Sequence, residues 1–128
     1  MDAAATAHTI LVVDAERGIR SVIAIVLSAQ GYRLLEAANG EEALRWLRQG
    51  ETVDLLLADM HLPGLSFSEL VNRWKEQPER PVIGMTAGDS TNLVHDHNGV
   101  RVIEKPFSVE RLADLVRELL SGENGQSP

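Results

Sequence analysis

Short apolar runs alternate along this chain with segments whose apolar residues recur at helical spacing. The first run, residues 10–13, is continuous and rich in β-branched residues, which is typical of a strand buried on both faces. One helical face follows it, built from Ile19, Val22, Ile23, Val26 and Leu27. The same signals predict further strands at 32–37, 53–58, 81–85 and 100–103, and helices that begin near 39, 66 and 108.

Strict alternation of strand and helix predicts an α/β fold: a doubly wound, five-stranded parallel sheet with helices on both faces. Residues 88–98 depart from the alternation, because Leu93 and Val94 are their only apolar residues. We therefore expect the fourth helix to be short or disordered, and this segment to be the mobile part of the domain. The domain is expected over 9–121, with flexible tails at 1–8 and 122–128.

Composition and charge narrow the class of protein. The chain has 128 residues and 44% hydrophobic content, which suits one domain. It has no cysteine, which excludes a disulfide scaffold, a thiolate metal site and a cysteine nucleophile. A net charge of -7 argues against binding to nucleic acid or anionic lipid. With no transmembrane run and no signal-like N-terminus, we expect a cytoplasmic protein.

Polar residues capable of chemistry follow the predicted strands. Asp14 comes after the first strand, Asp59 after the third, Thr86 after the fourth and Lys105 after the fifth. Each alone is an ordinary turn or cap residue, but the carboxyl ends of parallel strands meet at one edge, where ligands bind. Together these groups suit phosphoryl transfer onto a carboxylate, with Mg²⁺ and an ammonium neutralising the phosphate.

The chain resembles the receiver domains of two-component response regulators over about residues 9–121. The resemblance is carried by Ile10-Leu-Val-Val-Asp14 with Glu16, Asp54-Leu-Leu-Leu-Ala-Asp59-Met-His-Leu-Pro-Gly64, Met85-Thr-Ala87 and Lys105-Pro-Phe107. It implies the flavodoxin-like strand order 2-1-3-4-5, for which a receiver is the standard example. A similar shortened segment after the fourth strand occurs in receivers at the ends of hybrid sensor kinases.

By this resemblance, Asp59 is the phosphoacceptor, and Mg²⁺ is held by Asp14, Asp59 and the carbonyl of His61. Thr86 and Lys105 contact the phosphoryl group. The resemblance also implies that the Lys105–Pro106 bond is cis and that the Lys105 ammonium points at Asp59, against the general rarity of cis X–Pro bonds.

Two departures from the family pattern bear on function. Ala15 stands where the second member of the acidic pair normally ligates the metal, so Mg²⁺ binding is predicted to be weak unless Glu16 turns inward. Val102 stands at the usual aromatic or histidine switch position, which removes the familiar ring-flip readout.

The leading hypothesis is a phosphoacceptor that receives a phosphoryl group from a histidine kinase or phosphotransfer protein and signals by contact with an unknown downstream protein. Weak self-catalysed transfer and hydrolysis are the most it would catalyse. The alternative is a pseudo-receiver, a constitutive interaction module in which Ala15 and Val102 have disabled the switch. A nucleotide-binding domain is disfavoured by the carboxylates of the 14–18 turn, and an aspartyl-phosphate hydrolase by His61 in place of a second aspartate.

Overall fold

The computed structural model describes residues 7–76, 80–87, 94–97 and 99–121. Its strands are β1 (Thr9–Val13), β2 (Arg33–Ala37), β3 (Leu55–Asp59), β4 (Val82–Ala87), β5 (Val94–His97) and β6 (Val100–Lys105). Its helices are α1 (Arg17–Ala29), α2 (Gly40–Arg48), α3 (Phe67–Trp74) and α4 (Val109–Ser121). The predicted alternation of strand and helix is therefore confirmed for β1 to β4.

One sheet runs through the molecule in the order β2-β1-β3-β4-β6-β5. Neighbouring strands are parallel throughout the series β2-β1-β3-β4-β6, which confirms the predicted doubly wound sheet. Because β6 is the strand predicted as the fifth, the predicted order 2-1-3-4-5 is also confirmed. The parallel arrangement brings the carboxyl ends of β1, β3, β4 and β6 to the same edge.

The sheet has a sixth strand that the sequence interpretation missed. β5 pairs antiparallel with β6 at the sheet's end, where a short fourth helix or a loop was expected. The prediction was wrong for residues 94–97. The rest of the segment expected to be mobile, 88–93 and 98, lies outside the described residues.

A hairpin turn explains this sixth strand. His97 pairs with Val100, and the sequence between them is the dipeptide Asn-Gly. Asn-Gly is the strongest short-range hairpin signal, because such a turn needs positive φ, and Gly99 has φ of 80°. Asp96 and Arg101 lie opposite each other across the hairpin, and their side chains pair at 2.8 Å.

The core lies on both faces of the sheet. Leu11 and Val13 belong to a cluster with residues of α2 and α3, while Ile10 and Val12 belong to a second cluster with residues of α1 and α4. All four are fully buried, which explains why β1 reads as a continuous apolar run. No helix in the described ranges is long and apolar enough to cross a bilayer.

The predicted tails fall mostly outside the description, since residues 1–6 and 122–128 are not described. His8 lies just before β1, and its carbonyl accepts a hydrogen bond from the Arg33 amide at 2.9 Å. The predicted helix start near 66 is confirmed by a capping box at α3: the Ser66 side chain accepts from the Glu69 amide and the Glu69 side chain accepts from the Ser66 amide.

Candidate functional site

Three of the predicted site residues meet at the carboxyl edge of the sheet. Asp14 follows β1 directly, Asp59 ends β3, and Lys105 ends β6. The Lys105 Nζ atom lies 3.2 Å from Asp14 Oδ2 and 3.7 Å from Asp59 Oδ2. One ammonium therefore bridges two carboxylates that are far apart in sequence, and the expectation that Lys105 points at Asp59 is confirmed.

Asp14 is a buried charge with every partner supplied by the protein. Its exposure is 0%, its Oδ1 accepts the Glu16 amide at 2.8 Å, and its Oδ2 accepts the Lys105 ammonium. A buried carboxylate is tolerated only when it is paired and hydrogen-bonded, as this one is. Lys105 thus compensates the charge of Asp14 as well as facing Asp59.

Asp59 is less deeply buried than Asp14. Its side chain is 16% exposed, whereas that of Asp14 is 0% exposed. Its Oδ1 accepts the His61 amide at 3.0 Å, which fixes the carboxylate against the start of the following loop. The Lys105–Pro106 bond beside it is cis, as expected from the resemblance.

Thr86 and His61 form a second pair at the same edge. The Thr86 hydroxyl lies 3.1 Å from the His61 Nε2 atom and 3.5 Å from the Ala87 carbonyl oxygen. His61 is exposed in the loop between β3 and α3, while Thr86 lies within β4. Since the His61 amide also reaches Asp59, this loop joins the aspartate to the hydroxyl.

The loop that carries His61 is anchored by a residue that the sequence interpretation did not select. Glu41, in the first turn of α2, accepts the Leu65 amide at 3.1 Å. Gly64, whose φ is 73°, lies close to the same carboxylate. A Cβ at this position would be only 3.0 Å from a Glu41 carboxylate oxygen, so the loop approaches α2 closely here. Nothing in the sequence indicates that this loop folds back onto α2, so the contact leaves no signal at Glu41.

Arg20 is a second residue that the sequence did not indicate. Its NH1 atom donates to the Asp14 carbonyl at 2.7 Å, and its Nε lies 3.5 Å from Glu36. This guanidinium fixes the backbone that carries the buried carboxylate. A basic residue on a helix gives no sequence signal for such a contact, because the contact depends on how α1 packs beside β2.

Glu16 does not complete a ligand set with the aspartates. Glu16 is exposed and borders an apolar groove beside α1, and the described residues contain no cluster of three histidine or acidic side chains able to hold a metal. The two aspartates still supply the hard oxygen ligands that Mg²⁺ prefers. The donor set therefore fits Mg²⁺, with fewer carboxylates than the family pattern provides.

The groove itself lies next to Lys105. Its walls are mainly apolar and come from the first turns of α1 and from the chain between β6 and α4; they are Glu16, Gly18, Ile19, Val22, Ile23, Lys105, Pro106, Phe107 and Val109. Val22 is 51% exposed, and Ile25 on the same helix is 70% exposed. The apolar groove thus begins at Lys105, which is also a residue of the site.

A parallel sheet with two aspartates, a threonine and a lysine at its carboxyl edge defines a phosphoacceptor-type signalling domain. The family model of the response regulator receiver domain matches residues 10–117. This chain belongs to the response regulator receiver domain family. Receiver domains are signalling domains of two-component systems, and Mg²⁺ and phosphorylation at an aspartate are typical of them.

Individual relatives agree with this membership. The chain is 34% identical over 115 residues to sporulation initiation phosphotransferase F of Bacillus subtilis. The matched region covers 87% of this chain and 92% of that protein. It is 37% identical to the phosphate regulon transcriptional regulatory protein PhoB of Pseudomonas aeruginosa, over 88% of this chain but only 51% of that protein. The chain therefore spans about half the length of that transcriptional regulator.

A solved structure of the same kind is that of the receiver domain of the hybrid histidine kinase CckA. It has a TM-score of 0.75 and 34% sequence identity, over 88% of this chain and 98% of that one. This similarity matches the resemblance to hybrid-kinase receivers noted in the sequence.

Proposed function

We propose that Asp59 accepts a phosphoryl group from a phosphohistidine on a histidine kinase or phosphotransfer protein, and that the chain then signals through protein contact. The observation that carries this proposal is the Lys105 ammonium, which lies within 4 Å of both Asp14 and Asp59. Such an arrangement places positive charge where a phosphoryl group on Asp59 would lie.

The transfer needs only groups that the site provides. An Asp59 oxygen attacks phosphorus while the bond from phosphorus to the histidine nitrogen breaks, and the departing ring keeps the electron pair. Lys105 offsets charge on one side of the transferring group. Thr86 offers a hydroxyl that can donate to a phosphoryl oxygen.

Mg²⁺ would be held by Asp14, Asp59 and the carbonyl of His61, together with water and phosphoryl oxygens. When bound, the ion neutralises charge on the phosphoryl oxygens. Asp14 contributes its carboxylate from a fully buried position, fixed by the Glu16 amide and by Arg20 on its carbonyl. Ala15 supplies no oxygen, which supports weak binding of the metal.

The donor protein docks, on this proposal, along the apolar groove beside α1. A donor must place its histidine at Asp59, so it has to cover the elements around Lys105, and the groove begins at that residue. Val22 and Ile25 give this surface apolar side chains to bury against a helical partner.

Asp59→Asn is the direct test. The amide is not a competent nucleophile, so we expect the variant to take up no phosphate from acetyl phosphate and Mg²⁺, as measured by intact mass. Asp114→Asn, at an exposed position on α4 away from the edge, is the matched control and should behave like the wild type. An undiminished phosphorylated peak in Asp59→Asn would refute the assignment.

The pseudo-receiver is the second candidate, and Ala15 is the observation in its favour. In that case the wild type itself takes up no phosphate at saturating Mg²⁺, while Ala15→Asp restores uptake. Phosphorylation of the wild type that is lost in Asp59→Asn would exclude this alternative.

A further inference from the structure

His61 makes two contacts that link the phosphoacceptor to the threonine. Its amide donates to Asp59 Oδ1 at 3.0 Å, while its Nε2 lies 3.1 Å from the Thr86 hydroxyl. Within the described part of the chain, the other partner of this hydroxyl is the Ala87 carbonyl at 3.5 Å. The hydroxyl is therefore engaged by His61 rather than by Asp59 or Lys105.

We infer that the imidazole of His61 is a latch that holds the Thr86 hydroxyl in a resting position, from which a phosphoryl group on Asp59 must release it. The inference rests on the proposed function, since it concerns the state of the site before phosphorylation. His61 is a positioning residue here, because it acts through Thr86 and not on the phosphoryl group.

The number of hydrogens on the two side chains decides whether Thr86 must be released. A threonine hydroxyl carries one hydrogen, and a phosphoryl oxygen is only an acceptor. When the ring nitrogen accepts from Thr86, that hydrogen is already used. When the ring nitrogen donates instead, the Oγ1 atom is still held against the ring. When the imidazole accepts, its hydrogen bond to Thr86 must break before the hydroxyl can donate to a phosphoryl oxygen, and this is the tautomer that the latch requires.

The latch is weak enough to be reversible. His61 is exposed, so water competes for its ring and the net value of the hydrogen bond is small. Removing it should therefore favour the phosphorylated arrangement by on the order of fivefold, the ratio expected for one solvent-accessible neutral hydrogen bond.

Beryllofluoride with Mg²⁺, a stable mimic of the aspartyl phosphate, provides the measurement at constant pH by ¹⁹F NMR. We expect His61→Ala and His61→Phe both to bind it about fivefold more tightly than the wild type. His61→Phe keeps a ring of similar size, so tightening in His61→Ala alone would indicate steric obstruction and overturn the latch. On a Thr86→Val background the two His61 variants should show no gain, and an equal gain there would also overturn it.

A second readout needs neither metal nor phosphate. In the metal-free wild type, Thr86→Val should shift the ¹⁵N resonance of His61 Nε2, and Thr86→Ser should restore it. An unchanged resonance would show that the contact is absent in solution and refute the latch. Failure of the proposed function looks different: the wild type would bind no beryllofluoride, yet the metal-free ¹⁵N shift would remain.

Discussion

Ala15 stands where the family pattern places an acidic metal ligand, and we expect this substitution to lower the affinity for Mg²⁺. We expect Ala15→Asp to tighten Mg²⁺ binding about tenfold, or about 1.4 kcal/mol, a modest gain for one added carboxylate beside solvent. Ala15 is exposed at the sheet edge, so the new side chain has room. A Mg²⁺ titration of both proteins followed by NMR shifts measures the difference.

Glu16→Ala is the matched control for that titration. Because Glu16 forms no ligand cluster with the two aspartates in the described part of the chain, its removal should leave the Mg²⁺ affinity nearly unchanged. Equal affinities of wild type and Ala15→Asp, together with weaker binding in Glu16→Ala, would mean that Glu16 already supplies the missing oxygen. The added charge should also lower the stability of the metal-free Ala15→Asp protein, through repulsion from Asp14.

The residues of the site were predictable to different degrees. Asp14, Asp59 and Lys105 could be placed together from sequence, because strand ends of a parallel sheet share an edge. The contact between His61 and Thr86 could not, since it depends on the path of a loop and on a ring orientation. Arg20 and Glu41 were also missed, because each holds a backbone group near the site, the Asp14 carbonyl or the Leu65 amide. A contact with a backbone group leaves no mark in the sequence.

At the scale of elements, the start of α3 offers a test of local stability. Ser66 accepts the Glu69 amide at 3.1 Å, and Glu69 accepts the Ser66 amide at 3.0 Å. Ser66→Ala removes the N-cap acceptor and should lower the free energy of unfolding by about 1 kcal/mol. Chemical denaturation of both proteins measures the loss, and Ser68→Ala, at an exposed position inside the same helix, is the control.

The same cap has a pH dependence of defined sign. Hydrogen bonds from the Ser66 amide and then its hydroxyl hold the pKa of Glu69 below its usual value, against slight desolvation and with help from Arg73. A lowered pKa in the folded state adds stability above the ordinary glutamate range, and that stability disappears as the pH falls through the lowered value. Glu69→Gln should therefore be less stable than the wild type at neutral pH, with the difference vanishing in strong acid.

Elements were predictable where one signal dominated. The continuous apolar run of β1 and the stripe of α1 gave correct elements, because burial decides both. β5 was missed because its four residues carry a single apolar side chain, Val94, so periodicity had nothing to detect. A local signal for this strand was present in the sequence, the Asn-Gly dipeptide at 98–99 directly before a predicted strand. Such a dipeptide indicates a hairpin even where the hydrophobic pattern shows no second strand.

At the scale of the whole molecule, β5 changes the surface that the domain presents beside β6. The sheet ends in an antiparallel hairpin, with His95 paired to Glu104 at 3.2 Å and Asp96 paired to Arg101. With Val102 buried in the adjoining strand, an aromatic readout at that position is absent. The opposite side of the site, along α1, offers exposed apolar side chains instead.

Substitutions beside the α1 groove can separate docking of the donor protein from the chemistry at Asp59. Val22→Glu and Ile25→Glu should each lower the rate of phosphoryl transfer from a phosphorylated phosphotransfer protein by about tenfold or more, because an unpaired charge would be buried on docking. Both side chains are already exposed, so the fold should tolerate the change. Acetyl phosphate is too small to need the groove, and its rate of transfer should stay at the wild-type value.

Asn72→Glu adds the same charge at an exposed position on α3, which packs on the opposite face of the sheet from α1, so it controls for charge alone. If it slows the protein donor as much as Val22→Glu, the effect is electrostatic repulsion in a chain of net charge -7, and the groove is not the docking surface. If Val22→Glu and Ile25→Glu slow acetyl phosphate as well, the substitutions have disturbed the site through α1. Only loss confined to the protein donor and to the two groove-side variants supports docking beside Lys105.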